Sequence, residues 1–128
     1  SVDREVEIKP LDFSKAWNIG GYSLTAEADP QSRDPKPEKC RFLTLDGMVS
    51  DEKVSLVKID VEGMEFNVIQ GAIGFLTKHG FPPILFESRD TDVNAKMARY
   101  SLATIGYKIA KYGEHDYLAQ HESRAAVL

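Results

Sequence analysis

Residues 56–72 read LVKIDVEGMEFNVIQGA, and this stretch decides the fold. With the residues before it, its first part is almost continuously apolar, as expected of a strand covered on both faces in a parallel sheet. Its second part sets Phe66, Ile69, Ala72, Ile73 and Leu76 at helical spacing. At the junction stand Asp60, Glu62 and Glu65, with Gly63 among them. Carboxylates are costly at a strand–helix junction unless they hold a ligand, do chemistry or cap the helix.

Working outward toward the carboxyl end, Gly80 falls where a helix C-cap is expected, and Pro82 and Pro83 prevent continuation. ILFE, residues 84–87, is a second short buried strand. Thr91 or Asp92 caps the next helix, which the spacing predicts to bury Val93, Met97, Tyr100 and Ile105, and Gly106 ends it. Residues 107–111 and 116–120 alternate as a hairpin turning at Gly113 and Glu114. From residue 54 the order is strand, helix, strand, helix, strand, strand. Such strand–helix–strand units give parallel strands with right-handed crossovers. The expectation is therefore an α/β, Rossmann-like sheet, mostly parallel, holding residues 54–59 and 84–87 and closed by a reversed C-terminal strand.

Toward the amino end, Val6 and Ile8 alternate with charged neighbours as in a half-exposed strand. NIGGYSL reads as a glycine-rich loop, and AEADPQSRDPKPEK as a solvated, mobile one. Residues 41–45 suggest another short strand, and Asp46 a cap for a short helix reaching about Ser50. The whole is one domain, residues 1–50 supplying a strand and loops and residues 51–128 an α/β core.

The 128 residues, 42 % hydrophobic and 28 % charged, are those of an ordinary single globular domain. The net charge of −4 carries no basic patch, which argues against nucleic acid. No apolar run approaches the ~20 residues of a membrane helix. The single cysteine, Cys40, fits a reducing cytoplasmic setting. The three histidines, His79, His115 and His121, show no zinc-type spacing.

Ligands of open parallel sheets bind at the carboxyl ends of the strands. Two strands end there in acids, Asp60 and Glu87. As neighbours ~4.8 Å apart they would put both carboxylates into one crevice. Gly63 permits a positive φ or a close backbone approach above it. A hydroxyl substrate, a sulfonium cofactor or a divalent metal on Asp60 would all suit such a crevice. The plainer reading is that acids at a helix N-terminus gain only ~0.3–1 kcal/mol from its dipole. Capping is the preferred reading for Glu65, both readings stay open for Glu62, and Asp60 is read as functional. Lys58 reads as structural, paired with an acid or reaching an edge. Trp17 beside Asn18 is a core plug or a ligand wall.

Lys58 to Glu65 with the following Gly71 and Ala72 resembles the hallmark of FkbM-type S-adenosylmethionine-dependent methyltransferases, K-I-D-V-E-G-x-E and then a G-A pair. The TLD of residues 44–46, the Pro-rich approach to the strand ending in Glu87, and GYKIAKYG with DYLA are similar to the family pattern too. NIGGYSL resembles its G-G-x-S-L loop. The resemblance implies S-adenosylmethionine as cofactor and O-methylation of a small-molecule or sugar hydroxyl. It implies Asp60 as the acid that meets the substrate hydroxyl or a metal; position adds Glu62 as a second catalytic residue and Gly63 and Glu87 as substrate contacts, with Asn18, Gly20 and Gly21 of the glycine-rich loop. The loop that grips the cofactor in related enzymes follows a buried first strand, which does not precede Gly20 and Gly21. The chain therefore reads as the C-terminal part of the domain, inactive alone, binding S-adenosylmethionine weakly or not at all, and able to associate with itself through an open sheet edge. A non-catalytic remnant used for binding or assembly is the competing reading. A phosphoacceptor receiver domain ranks last, since no acid pair follows a first strand.

Overall fold

A computed structural model describes residues 4–8, 38–48 and 51–124. Two strands, β1 (Arg4–Ile8) and β2 (Glu38–Phe42), pair antiparallel. The main sheet has four strands: β3 (Val57–Ile59), β4 (Ile84–Glu87), β5 (Tyr107–Lys111) and β6 (Asp116–His121). Between β3 and β4 lie two short helices, α1 (Glu65–Gln70) and α2 (Ile73–Lys78). A twelve-residue helix, α3 (Val93–Thr104), connects β4 to β5.

The strand order is β3-β4-β6-β5. β3 and β4 are parallel, with Ile59 opposite Phe86, as expected for residues 54–59 and 84–87. β4 and β6 are antiparallel, as are β6 and β5. The expectation of a mostly parallel sheet is thus corrected: the sheet is mixed, and mostly antiparallel by pairing. β3, β4 and β5 do run in one direction. The reversed strand β6 inserts between β4 and β5 and converts what would be one parallel pairing into two antiparallel ones. Periodicity shows a hairpin but not which neighbour its second strand will take.

β4 alternates buried Ile84 and Phe86 with half-buried Leu85 and Glu87. Ile59, Tyr117 and Ala119 face the same side and join Ile69, Leu76, Ala98 and Leu102 of the helices in one cluster. Among the described residues, then, the helices cover one face. The two-sided cover expected of residues 54–59 does not hold, for Leu56 is 54 % exposed and Lys58 lies open at the edge strand.

The single helix expected after Gly63 is broken, because the chain turns at Gly71 and Ala72 between α1 and α2. Asp46 does not cap its own short 3-10 helix, Leu45–Gly47. Thr44 does, accepting from Gly47 N–H. Asp46 Oδ1 instead accepts from Phe75 N–H at 2.7 Å, serving α2 across the fold. Asp92 caps α3 by accepting from Asn94 N–H at 2.8 Å. The face of α3 is also corrected. Ala95, Ala98 and Leu102 are buried, whereas Val93, Met97 and Tyr100 are exposed. Both stripes have helical spacing, and close packing of α3 against α1 selects the one with small side chains. Gly80 and Gly106 end α2 and α3 at φ 67° and 94°, in the left-handed conformation their positions predicted.

The glycines that follow α2 and α3 are both held by the last described turn. Arg124 Nε donates to Gly80 O at 2.8 Å, and Glu122 N–H to Gly106 O at 3.0 Å. The His121 ring stacks on Phe81 with centroids 3.9 Å apart. Tyr107 donates its hydroxyl to Pro82 O at 2.9 Å, and burial pushes its pKa up to about 12.

Candidate functional site

The parallel register ends with Ile59 beside Phe86, and the next residue of each segment is an acid, Asp60 and Glu87. The chain then turns tightly. Met64 N–H donates to Val61 O at 3.3 Å, and the two residues between have φ 47° at Glu62 and 93° at Gly63. Two successive positive φ values are those of a type I′ turn. A β-carbon on Gly63 would come no closer than 3.9 Å to Asp92, so the backbone angle, not crowding, calls for glycine there.

Glu62 occupies the same left-handed region with a side chain, at a cost of roughly 1–2 kcal/mol. The turn brings its carboxylate round to the other two. One oxygen from each of Asp60, Glu62 and Glu87 lies within 4.8 Å of the others. Lys58 Nζ stands 3.1 Å from Asp60 and Arg89 Nε 3.2 Å from Glu87, so both of these carboxylates are partly balanced. Among the described residues, Asp60, Glu62 and Glu87 could together hold a divalent cation.

Strain at Glu62 is directly measurable. Glu62→Gly should raise the unfolding free energy, by up to about 1 kcal/mol after glycine's own entropy is counted, while Glu62→Val should lower it by ~1–2 kcal/mol. Urea midpoints for both variants test this. Equal midpoints would reject the left-handed turn.

Glu65 is 4 % exposed, and its Oε1 accepts from Gly63 N–H at 3.1 Å. Asn94 Nδ2, from the first turn of α3, donates to Gly63 O at 3.3 Å. The turn is therefore held from α1 and from α3. Glu65 stands behind the trio, not within it. A small cleft of about 30 Å³ lies between Gly63, Glu65, Ser88 and Asp92, room for about one water.

A much larger cavity, about 580 Å³, runs along the outer edge of β3. Phe42, Leu45, Val57, Ile59, Met64 and Val68 line it, with Lys58 and Val61 at the end nearest the carboxylates. Its volume suits a nucleoside-sized ligand. The larger cavity is thus not itself the acidic crevice but adjoins it. Asn18, Gly20 and Gly21, like Trp17, lie outside the described residues. Ser88 and Arg89 are site neighbours that periodicity did not single out. Their signal is only that they follow the acid-ended strand β4.

The geometry is that of a carboxylate crevice at the ends of two parallel strands. A sequence model of the methyltransferase FkbM domain matches residues 10–109. The chain belongs to the FkbM methyltransferase family. In this FkbM chain the matched span includes Asp60, Glu62 and Glu87 and ends inside β5. Comparison with curated proteins and with solved structures gave no match. No helix among the described residues is long and apolar enough to cross a membrane.

Methyltransferases of this family generally use S-adenosylmethionine. The described residues fit such a cofactor in two respects. The apolar cavity beside β3 has the volume for a nucleoside, and the adjoining carboxylates have the charge to face a sulfonium.

Proposed function

We infer that this FkbM chain carries the substrate side of an S-adenosylmethionine-dependent O-methyltransferase acting on a hydroxyl of a small molecule or sugar, on a Rossmann-like framework. The observation that carries this reading is the convergence of Asp60, Glu62 and Glu87 within 4.8 Å at the ends of two parallel strands. S-adenosylmethionine supplies an electrophilic methyl group. Asp60, exposed at the mouth of the crevice, accepts the proton of the attacking hydroxyl at a carboxylate oxygen. Glu62, held by the turn, orients that hydroxyl, and Glu87 accepts a hydrogen bond from a neighbouring hydroxyl. Holding the reacting oxygen at a fixed place is the larger part of the work, since the reaction is an in-line displacement. The apolar cavity along β3 keeps water from the nucleoside side. The same three carboxylates are the donors a divalent cation would take. Gly20, Gly21 and Asn18 complete the substrate contacts in this reading.

Because the chain reads as inactive alone, the test is incubation of the complete domain that includes it with S-adenosylmethionine and a panel of sugar and small-molecule alcohols, amines and carbon acceptors. The expected result is formation of S-adenosylhomocysteine together with a methyl ether. Methyl appearing on nitrogen or carbon acceptors, with none on alcohols, would reject O-methylation. Cofactor binding with no transfer to any acceptor would favour the alternative reading, a fold retained for binding or assembly.

A further inference from the structure

The crevice depends on the loop after β4, and that loop is anchored from behind. Ser88 follows Glu87 directly and is 2 % exposed. Its N–H donates to His115 O at 2.8 Å. Its hydroxyl accepts from Nη1 of Arg99, on the second turn of α3, and lies 3.5 Å from Ala95 O. The other terminal nitrogen of the same guanidinium, Nη2, stands 3.1 Å from Asp90 Oδ1. That carboxylate also accepts from the Tyr117 hydroxyl at 3.1 Å, and Lys111 Nζ lies 3.8 Å from its other oxygen. The Tyr117 hydroxyl first, then the charges of Lys111, Arg99 and Lys96, hold the Asp90 carboxyl below its ordinary range, against desolvation. The guanidinium carbon is 5.0 Å from the centre of the Tyr117 ring, within reach of a cation–π contact. α3, β5 and β6 thus converge on two points of one loop. Among the described residues Arg99 alone grips both points.

We propose that Arg99 is a positioning residue of the crevice: by fixing Ser88 and Asp90 with one guanidinium it sets where Glu87 stands against Asp60 and Glu62. A planar fork with donors in fixed directions can hold two acceptors at once, whereas a lysine ammonium on the same helix is a point charge that would serve one. The contacts of Arg99 are Ser88, Asp90 and Tyr117, so its effect on the carboxylates passes through the loop. The link from Glu87 to turnover rests on the methyl-transfer reading above, while the placement of the loop does not.

Amide hydrogen exchange by NMR on the chain and methyl-transfer kinetics on the complete domain that includes it test the two parts separately. In Arg99→Met, the Ser88 amide should exchange at least about tenfold faster relative to the Phe86 amide, the signature of local opening. Arg99→Lys should restore less than half of that protection. Tyr117→Phe, which removes one hydrogen bond to Asp90 but leaves Ser88 bound, should change Ser88 exchange by no more than about twofold. In the same Arg99→Met variant kcat should fall by about 10- to 10²-fold, with a smaller change in KM. Unchanged Ser88 exchange, or equal acceleration of Ser88 and Phe86, overturns the proposal, since Arg99 would then add only global stability or nothing. Faster Ser88 exchange with full kcat overturns it also. A complete wild-type domain that transfers no methyl group removes the reading of the crevice, and the exchange ratios alone then decide whether Arg99 places the loop.

Discussion

Asp60→Asn should cut methyl transfer by about 10²–10⁴-fold, the span that general-base assistance typically supplies. The amide keeps the size and one acceptor of the carboxylate but cannot take a proton. The fold should barely notice. Asp60 has an exposed side chain, and the substitution weakens its 3.1 Å pair with Lys58 at the surface. Exposed pairs of this kind contribute ~0–1 kcal/mol. Glu65→Gln is the natural comparison. Its remaining carbonyl oxygen can still accept from Gly63 N–H, so turnover should persist and stability fall by only ~0.3–1 kcal/mol through the helix dipole. Turnover and thermal unfolding of both variants decide the assignment. Full activity in Asp60→Asn, or loss of turnover confined to Glu65→Gln, would move the proton acceptor elsewhere.

Phe86→Ala should cost about 3–5 kcal/mol of unfolding free energy. Phe86 is 1 % exposed at the centre of the sheet, with Ile59 on one side and Tyr117 on the other. Its ring lies 5.8 Å from that of Tyr117. Total stabilities of ~5–15 kcal/mol leave little after such a loss. Leu85→Ala, one residue earlier on the half-buried face, should cost less than half as much. Guanidinium titrations of the two variants measure the difference. Equal losses would mean that the second face is covered as well, against the one-sided packing described above.

The elements read most surely from sequence are those bounded by residues with no alternative. ILFE before a buried serine is a strand at the expected residues, 84–87, because two prolines fix its start. Gly80 and Gly106 stop helices where they stand, because a left-handed residue is what a helix end requires. The pairing of Asp60 with Glu87 was legible for the same kind of reason: two parallel neighbours ending in acids must present them together. The buried face of α3 was not legible, because Val93, Met97 and Tyr100 obey the same spacing as Ala95, Ala98 and Leu102. Only the neighbour to be packed against separates the two. The left-handed Glu62 was hidden, since no rule of composition assigns a positive φ to glutamate when a glycine stands beside it. The Arg99 anchor was hidden by distance, eleven residues from Ser88 and crossing from helix to loop.

The insertion of β6 between β4 and β5 also sets a schedule for synthesis. The second partner of the central strand is the last strand of the sheet to be made. When the ribosome has finished Glu87, Ile84 and Phe86 have β3 on one side and nothing on the other. At roughly 5–20 residues per second, the segment that ends with β6 takes a few seconds more to appear. Once made, β5 has no neighbour either until β6 follows, because its partner in the sheet is the same late strand. A nascent chain at that stage exposes an apolar strand edge on each side of an empty slot, and filling the slot is a single event that closes both.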